Sequence, residues 1–334
     1  MKYFRRLRFF GGGFLFVARI SKKWYTVCKG SDSVIQFKKL DLADKAIYDR
    51  YLLNCGQRGC EYNFSNLYLW GRQKAAFLGE NLVFFSQFNQ RSVYLFPLCA
   101  GEVKPVIDAI IHDAHVRGIP CRLTSLTHDD CDLLESLYPD RFRFHHDRND
   151  FDYLYQIEDL ATLKGKKFQK KRNHLNKFRQ LHPDYRLEPI SDENTTLVQS
   201  LLDRWYRLRL EADPTADFHM EQAAIYRALR HRKALDMEGL VLMDGQEILA
   251  MTLGSRLSGD TFDVQFEKAI DETAYVAICS GFAAYLMETH PDIRLLNRED
   301  DLGIEGLRKS KLAYNPVQLI EKHWACLKED GCEY

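Results

Sequence analysis

The sequence predicts an α/β protein made of two successive units of one plan, each a mixed central sheet flanked by helices. Three observations carry this. Short apolar-aromatic runs punctuated by turn residues occur twice, over 75–96 and 239–266, as a three-strand antiparallel meander requires. Each meander is preceded by a helical pattern and followed by helix, strand, helix and strand. The 334 residues also suffice for two full hydrophobic cores, at roughly 100–200 residues each.

In chain order, 43–54 has helical spacing, and strands follow at 75–78, 82–85 and 92–96, split by Gly79-Glu80-Asn81 and Asn89-Gln90. Val103, Val106, Ile107, Ile110 and Ile111 mark a helix over 103–116. A strand at 121–126, a helix at 129–137 and strands near Phe142 and Phe151 complete the first unit. In the second, Val198, Leu201, Leu202, Trp205 and Leu208 form an apolar helical face, and another helix spans 221–231 after Asp213-Pro214. Strand 239–243 turns through Asp244-Gly245, a hairpin signal, into 247–256. Over 261–266, Phe262, Val264 and Phe266 alternate with polar residues, the period of a half-buried strand. A helix carrying Tyr275, Ile278, Cys279, Phe282 and Leu286, a strand at 293–296, a helix at 303–313 and a strand at 317–326 follow. This order resembles two acetyltransferase-type (GNAT-like) domains in tandem, expected at 34–150 and 151–334.

Composition narrows the function. The 47 basic and 47 acidic residues cancel, so attraction to nucleic acid or anionic lipid must come from a local patch. No apolar run of about 18 residues is present to cross a membrane. The nine cysteines lack ligand spacing and read as reduced core thiols of a cytoplasmic protein, with no metal site expected. Residues 1–33 are basic, aromatic and Gly-rich without the period of a folded element; they read as a disordered leader or an over-long start.

One local patch exists. Over 163–179, LKGKKFQKKRNHLNKFR carries Lys164, Lys166, Lys167, Lys170, Lys171, Arg172, Lys177 and Arg179, with no acid between Asp159 and Asp184. Helical spacing puts Lys167, Lys170, Lys171 and His174 on one face, with Phe168, Leu175 and Phe178 turned inward. Such a face is either a solvated linker or a clamp for phosphates, as in tRNA, a lipid headgroup or a nucleotide.

The second patch is NREDDLGIEGLRKSKLAY, 297–314, at a junction of strand end and helix start where α/β folds commonly bind ligands. Helix capping explains one aspartate, and Arg308 suits the helix C-terminal end. It does not explain Asn297, Arg298, Glu299, Asp300 and Asp301 together. The cluster is therefore expected to grip an amine, a hydroxyl or an ion. Gln265 and Lys268, at the end of the meander, are candidates for the same site.

The segments NFSNLYLW (63–70), DYLYQIEDLATLKGKKFQKKRNHLNKF (152–178) and NREDDLGIEGLRKSKLAYNP (297–316) resemble the phosphatidylglycerol lysyltransferase C-terminal-like family, over a stretch from about Val34 onward. The resemblance implies the tandem GNAT-like fold. Membrane-bound relatives move an aminoacyl group from a charged tRNA to a lipid hydroxyl, and fold-related peptidoglycan enzymes move it to an amine. Ordinary acetyltransferases hold acetyl-CoA on a Q/R-x-x-G-x-G/A loop; the corresponding EKAIDETAYVAICSGFA (267–283) lacks those glycines.

The resulting expectation is an acyl- or aminoacyltransferase using aminoacyl-tRNA or an acyl-CoA as donor substrate, with a lipid headgroup or small amine as acceptor. Glu299 or Asp301 would be the general base and Tyr314 the acid. Asn297, Arg298, Asp300, Gln265, Lys268 and Arg308 would bind substrate, and Lys166, Lys167, Lys170, Lys171 and Arg172 would bind tRNA or another phosphate-rich ligand. The alternatives are an acetyl-CoA-dependent N-acetyltransferase and a non-catalytic binding module.

Overall fold

The computed structural model describes residues 34–88 and 91–331. The leader expected over 1–33 lies outside them. Strands are β1 (Lys38–Lys39), β2 (Gln73–Leu78), β3 (Asn81–Phe88), β4 (Arg91–Leu98), β5 (Arg122–Leu126), β6 (Phe142–His146), β7 (Asp152–Gln156), β8 (Arg186–Pro189), β9 (Met237–Asp244), β10 (Glu247–Arg256), β11 (Thr261–Ala269), β12 (Leu295–Asn297), β13 (Gln318–Ile320) and β14 (His323–Leu327). Helices are α1 (Lys45–Leu52), α2 (Phe64–Leu69), α3 (Lys104–Arg117), α4 (His128–Leu137), α5 (Ile157–Thr162), α6 (Gln169–Leu181), α7 (Thr195–Ala212), α8 (His219–His231), α9 (Glu272–Thr289) and α10 (Glu305–Leu312).

The two sheets share one plan. The first runs β1-β2-β3-β4-β5-β14-β6 and the second β8-β9-β10-β11-β12-β7-β13. In each, the fourth and fifth strands are parallel, because a helix (α3 or α9) lies between them in the chain. The other neighbours are antiparallel. The hairpin expected at Asp244-Gly245 joins β9 to β10, with Gly245 left-handed at φ +57°. This is the expected tandem GNAT-like architecture, two mixed sheets flanked by helices.

The sixth place in each sheet is filled differently. β7 opens the second unit and pairs with β12 and β13, whereas β14 leaves the second unit to lie between β5 and β6. The strand expected over 317–326 is thus two strands in different sheets. A single cut at 150/151 leaves β14 on the wrong side. The chain crosses between the sheets at Glu321-Lys322, and Lys322 is drawn to two carboxylates, one buried and one part-buried: its Nζ lies 2.6 Å from Asp152 Oδ1 and 2.7 Å from Glu61 Oε1.

Apolar packing makes the halves one body. One core joins Tyr48, Phe64, Leu67 and Phe84 of the first half to Leu201, Ile225, Met251 and Phe266 of the second. Separate cores fill the outer faces, under α3 and α4 and under α5, α6 and α9. Among the described residues no helix is long and apolar enough to cross a membrane. Cys55, Cys60, Cys99, Cys121, Cys131 and Cys279 are free thiols, as expected, whereas Cys326 is disulfide-bonded.

Candidate active site between the two halves

β11 pairs with β12 only over Thr261–Asp263 and then continues to Ala269, so the two parallel strands part. Arg298, the first residue after β12, spans the gap. Its Nε and Nη2 donate to Glu267 Oε2 at 3.1 and 2.5 Å, and Nη2 also donates to the Tyr275 hydroxyl at 2.5 Å. Beside this bridge lies a cavity of about 370 Å³. One wall is Gln265–Lys268 with Arg298, Glu299 and Asp300; the other comes from the first half, with Glu61, Asn66, Trp70 and Gln73.

The loop after β12 is wound tightly. Glu299 and Leu302 are left-handed at φ +53° and +52°, a conformation costly for residues with a Cβ and common where a site demands it. Lys311 holds the loop by donating to the carbonyls of Arg298 (2.6 Å), Glu299 (3.1 Å) and Asp300. The Glu299 carboxylate accepts from Asn66 Nδ2 at 2.9 Å. Burial, with Asp300 and Asp152 nearby, pushes the Glu299 carboxyl well above the ordinary range. Burial raises Asp300 too, against Lys322. Lys268 is paired with Glu221 at 2.6 Å and stacked over Trp205; burial lowers its pKa.

Glu299, Arg298, Asp300, Gln265 and Lys268 thus line one cavity. The other sequence candidates stand outside that lining. Asp301 is fully buried in a clamp: Arg308 donates to it at 2.9 and 2.7 Å, Gly303 N–H at 3.0 Å, and the Tyr153 hydroxyl also donates. Although burial opposes it, the Arg308 and Tyr153 bonds pull its carboxyl down to about 2. A carboxylate so weakly basic and so fully engaged is a poor proton acceptor, which corrects its assignment as a base. Arg308 is correspondingly a structural partner, bound also to Asn149 at 2.6 Å. Asn297 is buried and supports the loop, donating to Arg58 O at 2.7 Å and Asp152 at 2.9 Å while accepting from Glu299 N–H at 2.7 Å. Tyr314 lies behind the site, its ring under Lys171 Nζ at 4.0 Å and near Arg298 at 4.9 Å. Away from the cavity lining, its hydroxyl is not positioned as the acid for a leaving group there.

The basic run divides. Lys164, Lys166, Lys167, Lys170, Lys177 and Arg179 are exposed. Lys171 is buried over Tyr314, and burial lowers its pKa. Arg172 donates to the carbonyls of Leu163 and Gly165 (2.6 Å for the latter), tying down the turn before α6. Those two are therefore removed from the expected phosphate face. Lys167 remains exposed although paired with Asp159 at 2.8 Å.

The family model for the phosphatidylglycerol lysyltransferase C-terminal region matches residues 54–326, which takes in the second sheet, most of the first beyond β1, and the cavity. The chain belongs to this family. Among solved structures, a conserved protein of unknown function from Bacteroides thetaiotaomicron is 36% identical, covering 88% of this chain and 100% of that one, with a TM-score of 0.84. The L-PGS structure from Bacillus licheniformis shares the fold at 17% identity and a TM-score of 0.63, covering 87% of this chain and 93% of that one. An uncharacterized protein of Mycoplasmoides gallisepticum is 28% identical over 181 residues, 52% of this chain and 54% of its own length. This chain thus spans about half the length of that curated relative.

In this family member, residues beyond the sequence candidates complete the site. Glu61, Asn66 and Gln73 come from the first half, and Asn66 falls in the NFSNLYLW segment that carried the resemblance. Cys60, Glu61 and Asp152 bring potential ligand atoms within 4.8 Å of one another. Lys322 Nζ sits among them, 3.5 Å from Cys60 Sγ, so an ammonium already supplies the positive charge there.

Proposed function

We propose that this protein is an aminoacyltransferase that takes its acyl group from aminoacyl-tRNA and passes it to a lipid or small amine or hydroxyl acceptor. Family membership supports an acyltransferase-like function in the coarser sense. The observation that carries the finer reading is a set of buried polar atoms, on residues that line the cavity, with no partner among the described residues: Arg298 Nη1, Glu61 Oε2, Gln73 Oε1 and Gln265 Oε1. Each unpaired buried polar atom costs about 1–3 kcal/mol. One donor and three acceptors complement an α-ammonium, with its three N–H groups, beside a carbonyl oxygen. Arg298 would polarise that carbonyl as charge develops on it. Glu299, its proton affinity raised, would take the proton of the incoming nucleophile. The exposed lysines flanking α6 would hold the tRNA backbone.

Acetyl-CoA is the competing donor, and one contact speaks against it. The Asp271 carboxylate accepts from Thr273 N–H (2.7 Å) and Ala274 N–H (2.9 Å) at the start of α9. An anion already occupies the helix N-terminus following the strand gap, where a pyrophosphate would be drawn.

Thermal-shift and filter-binding measurements with charged tRNA, uncharged tRNA and acetyl-CoA test the proposal. Stabilisation by charged tRNA, with labelled amino acid passing to phosphatidylglycerol vesicles or an added amine, is the expected result. Stabilisation by acetyl-CoA alone would overturn it.

A further inference from the structure

A chain of hydrogen bonds runs from the first half into the cavity wall, and its direction is fixed by a backbone donor. Asn63 precedes α2, and its Oδ1 accepts from Ser65 N–H at 2.9 Å. An N–H can only donate, so this end of the amide must be the oxygen. Ser255 Oγ lies 3.1 Å from the same Oδ1 and must be the donor there. Its hydrogen thus committed, Ser255 Oγ can only accept from Gln265, whose Nε2 is 2.9 Å away. Gln265 Oε1 is left as the atom without a partner among the described residues, in a residue that lines the cavity. The remaining amide end, Asn63 Nδ2, faces Asp263 Oδ2 at 3.3 Å.

The backbone is shaped for this. β10 shifts register against β11 between Leu253 and Ser255. Gly254, in that bulge, lies so close to β11 that a Cβ would sit 2.2 Å from the Asp263 carbonyl oxygen. The bulge aims the buried Ser255 hydroxyl between Asn63 and Gln265 rather than into the ladder.

We propose that Asn63 and Ser255 are positioning residues that lock Gln265 as an obligate hydrogen-bond acceptor, making the cavity select acyl groups bearing an amine over same-sized groups lacking one. This rests on the aminoacyl reading of the cavity. It goes further by naming what sets the selectivity. An amide free to rotate would present N–H or C=O as the ligand required, and would discriminate poorly. A locked acceptor leaves an unpaired buried oxygen against a ligand without the donor.

Two measurements on the full chain test it. The side-chain amide resonances of Gln265 are followed by NMR in the wild type, Ser255→Ala and the conservative Ser255→Thr. Slow exchange of the Nε2 protons is expected in the wild type and Ser255→Thr and is lost in Ser255→Ala. Affinities are then compared for matched ligands, L-alaninamide with propanamide and L-lysinamide with 6-aminohexanamide. The α-amine member is expected to bind about tenfold tighter or more in the wild type and Ser255→Thr, falling to within about threefold in Ser255→Ala. Unchanged Gln265 resonances in Ser255→Ala, or unchanged ligand ratios, would overturn the inference. Failure of the wild type to bind either amine ligand, with the resonances behaving as expected, would instead count against the aminoacyl reading and leave the locked amide standing.

Discussion

Asn66 Nδ2 donates to Glu299 Oε1 at 2.9 Å, joining α2 of the first half to the loop after β12 in the second. The contact makes the candidate base a property of both halves. A donor to a carboxylate favours its ionised form, whereas the burial around Glu299 disfavours it.

Glu299→Gln is therefore expected to abolish transfer, by about a hundredfold or more in kcat, with the fold intact. It is also expected to raise Tm near neutral pH. The sign follows from the raised carboxyl: its contribution to stability is fully present below the unfolded pKa and is lost as pH rises through the folded one. A neutral isostere escapes that loss. Equal kcat, or a lower Tm at pH 7, would remove Glu299 from the role of base.

Asn66→Ala tests the same pair from the other side. Without the donor, the ionised carboxylate is less favoured, so the acid limb of the kcat/KM profile should move to higher pH. An unmoved limb would mean that another group titrates.

Asp301→Asn is expected to act on stability alone. Its carboxyl is held down to about 2, so its stabilisation is present above the unfolded value and fades as pH falls toward 2. The variant should lose about 2 kcal/mol at pH 7, typical of hydrogen bonds to a charged group, and show a flatter acid-unfolding curve. Loss of kcat in protein that remains folded would return Asp301 to the catalytic group.

Much of this was legible in the sequence. The repeated element order gave the fold, because hydrophobic period is a local property. The polarity of 297–301 located one wall of the cavity, since that many charged residues after a buried strand need partners. What stayed hidden is non-local. Nothing in the period of β14 says which sheet it joins, and its return to the first sheet becomes visible only with pairing. Glu61, Asn66 and Gln73 lie between the elements that the hydrophobic period marks, and they line the cavity only because the halves close on each other. Lys171 and Asp301 were misassigned for a related reason: charge in a sequence does not reveal that Tyr314 or Arg308 already answers it.

The exposed part of the basic run offers a separate test. Neutralising Lys166, Lys167 and Lys170 to Gln should weaken tRNA binding and reduce the slope of log K against log salt by about two to three. Arg172→Ala should instead lower Tm, because it frees the carbonyls of Leu163 and Gly165 while removing no exposed phosphate contact. Equal effects of the two changes on tRNA affinity would dissolve the division between solvated and structural cations.

The crossing strand makes its own demand on folding. β14 completes the sheet of the first half from the far end of the chain, and one apolar core spans both halves, so the first sheet is not whole without the second half. Unfolding should be a single transition in which amides of both sheets lose protection together. The crossover is pinned by buried Lys322 between the inaccessible Asp152 and the part-buried Glu61. Lys322→Met leaves the Asp152 carboxylate buried without its cation, a change that costs about 3–5 kcal/mol where it has been isolated. Adding Asp152→Asn to Lys322→Met should restore part of that loss, because the stranded charge is gone. The measurement is denaturant unfolding of wild type, single and double variants, with hydrogen exchange read separately in β5 and β12. If Lys322→Met releases only the first sheet while β12 keeps its protection, the two halves are independent folding units despite the crossing of β14.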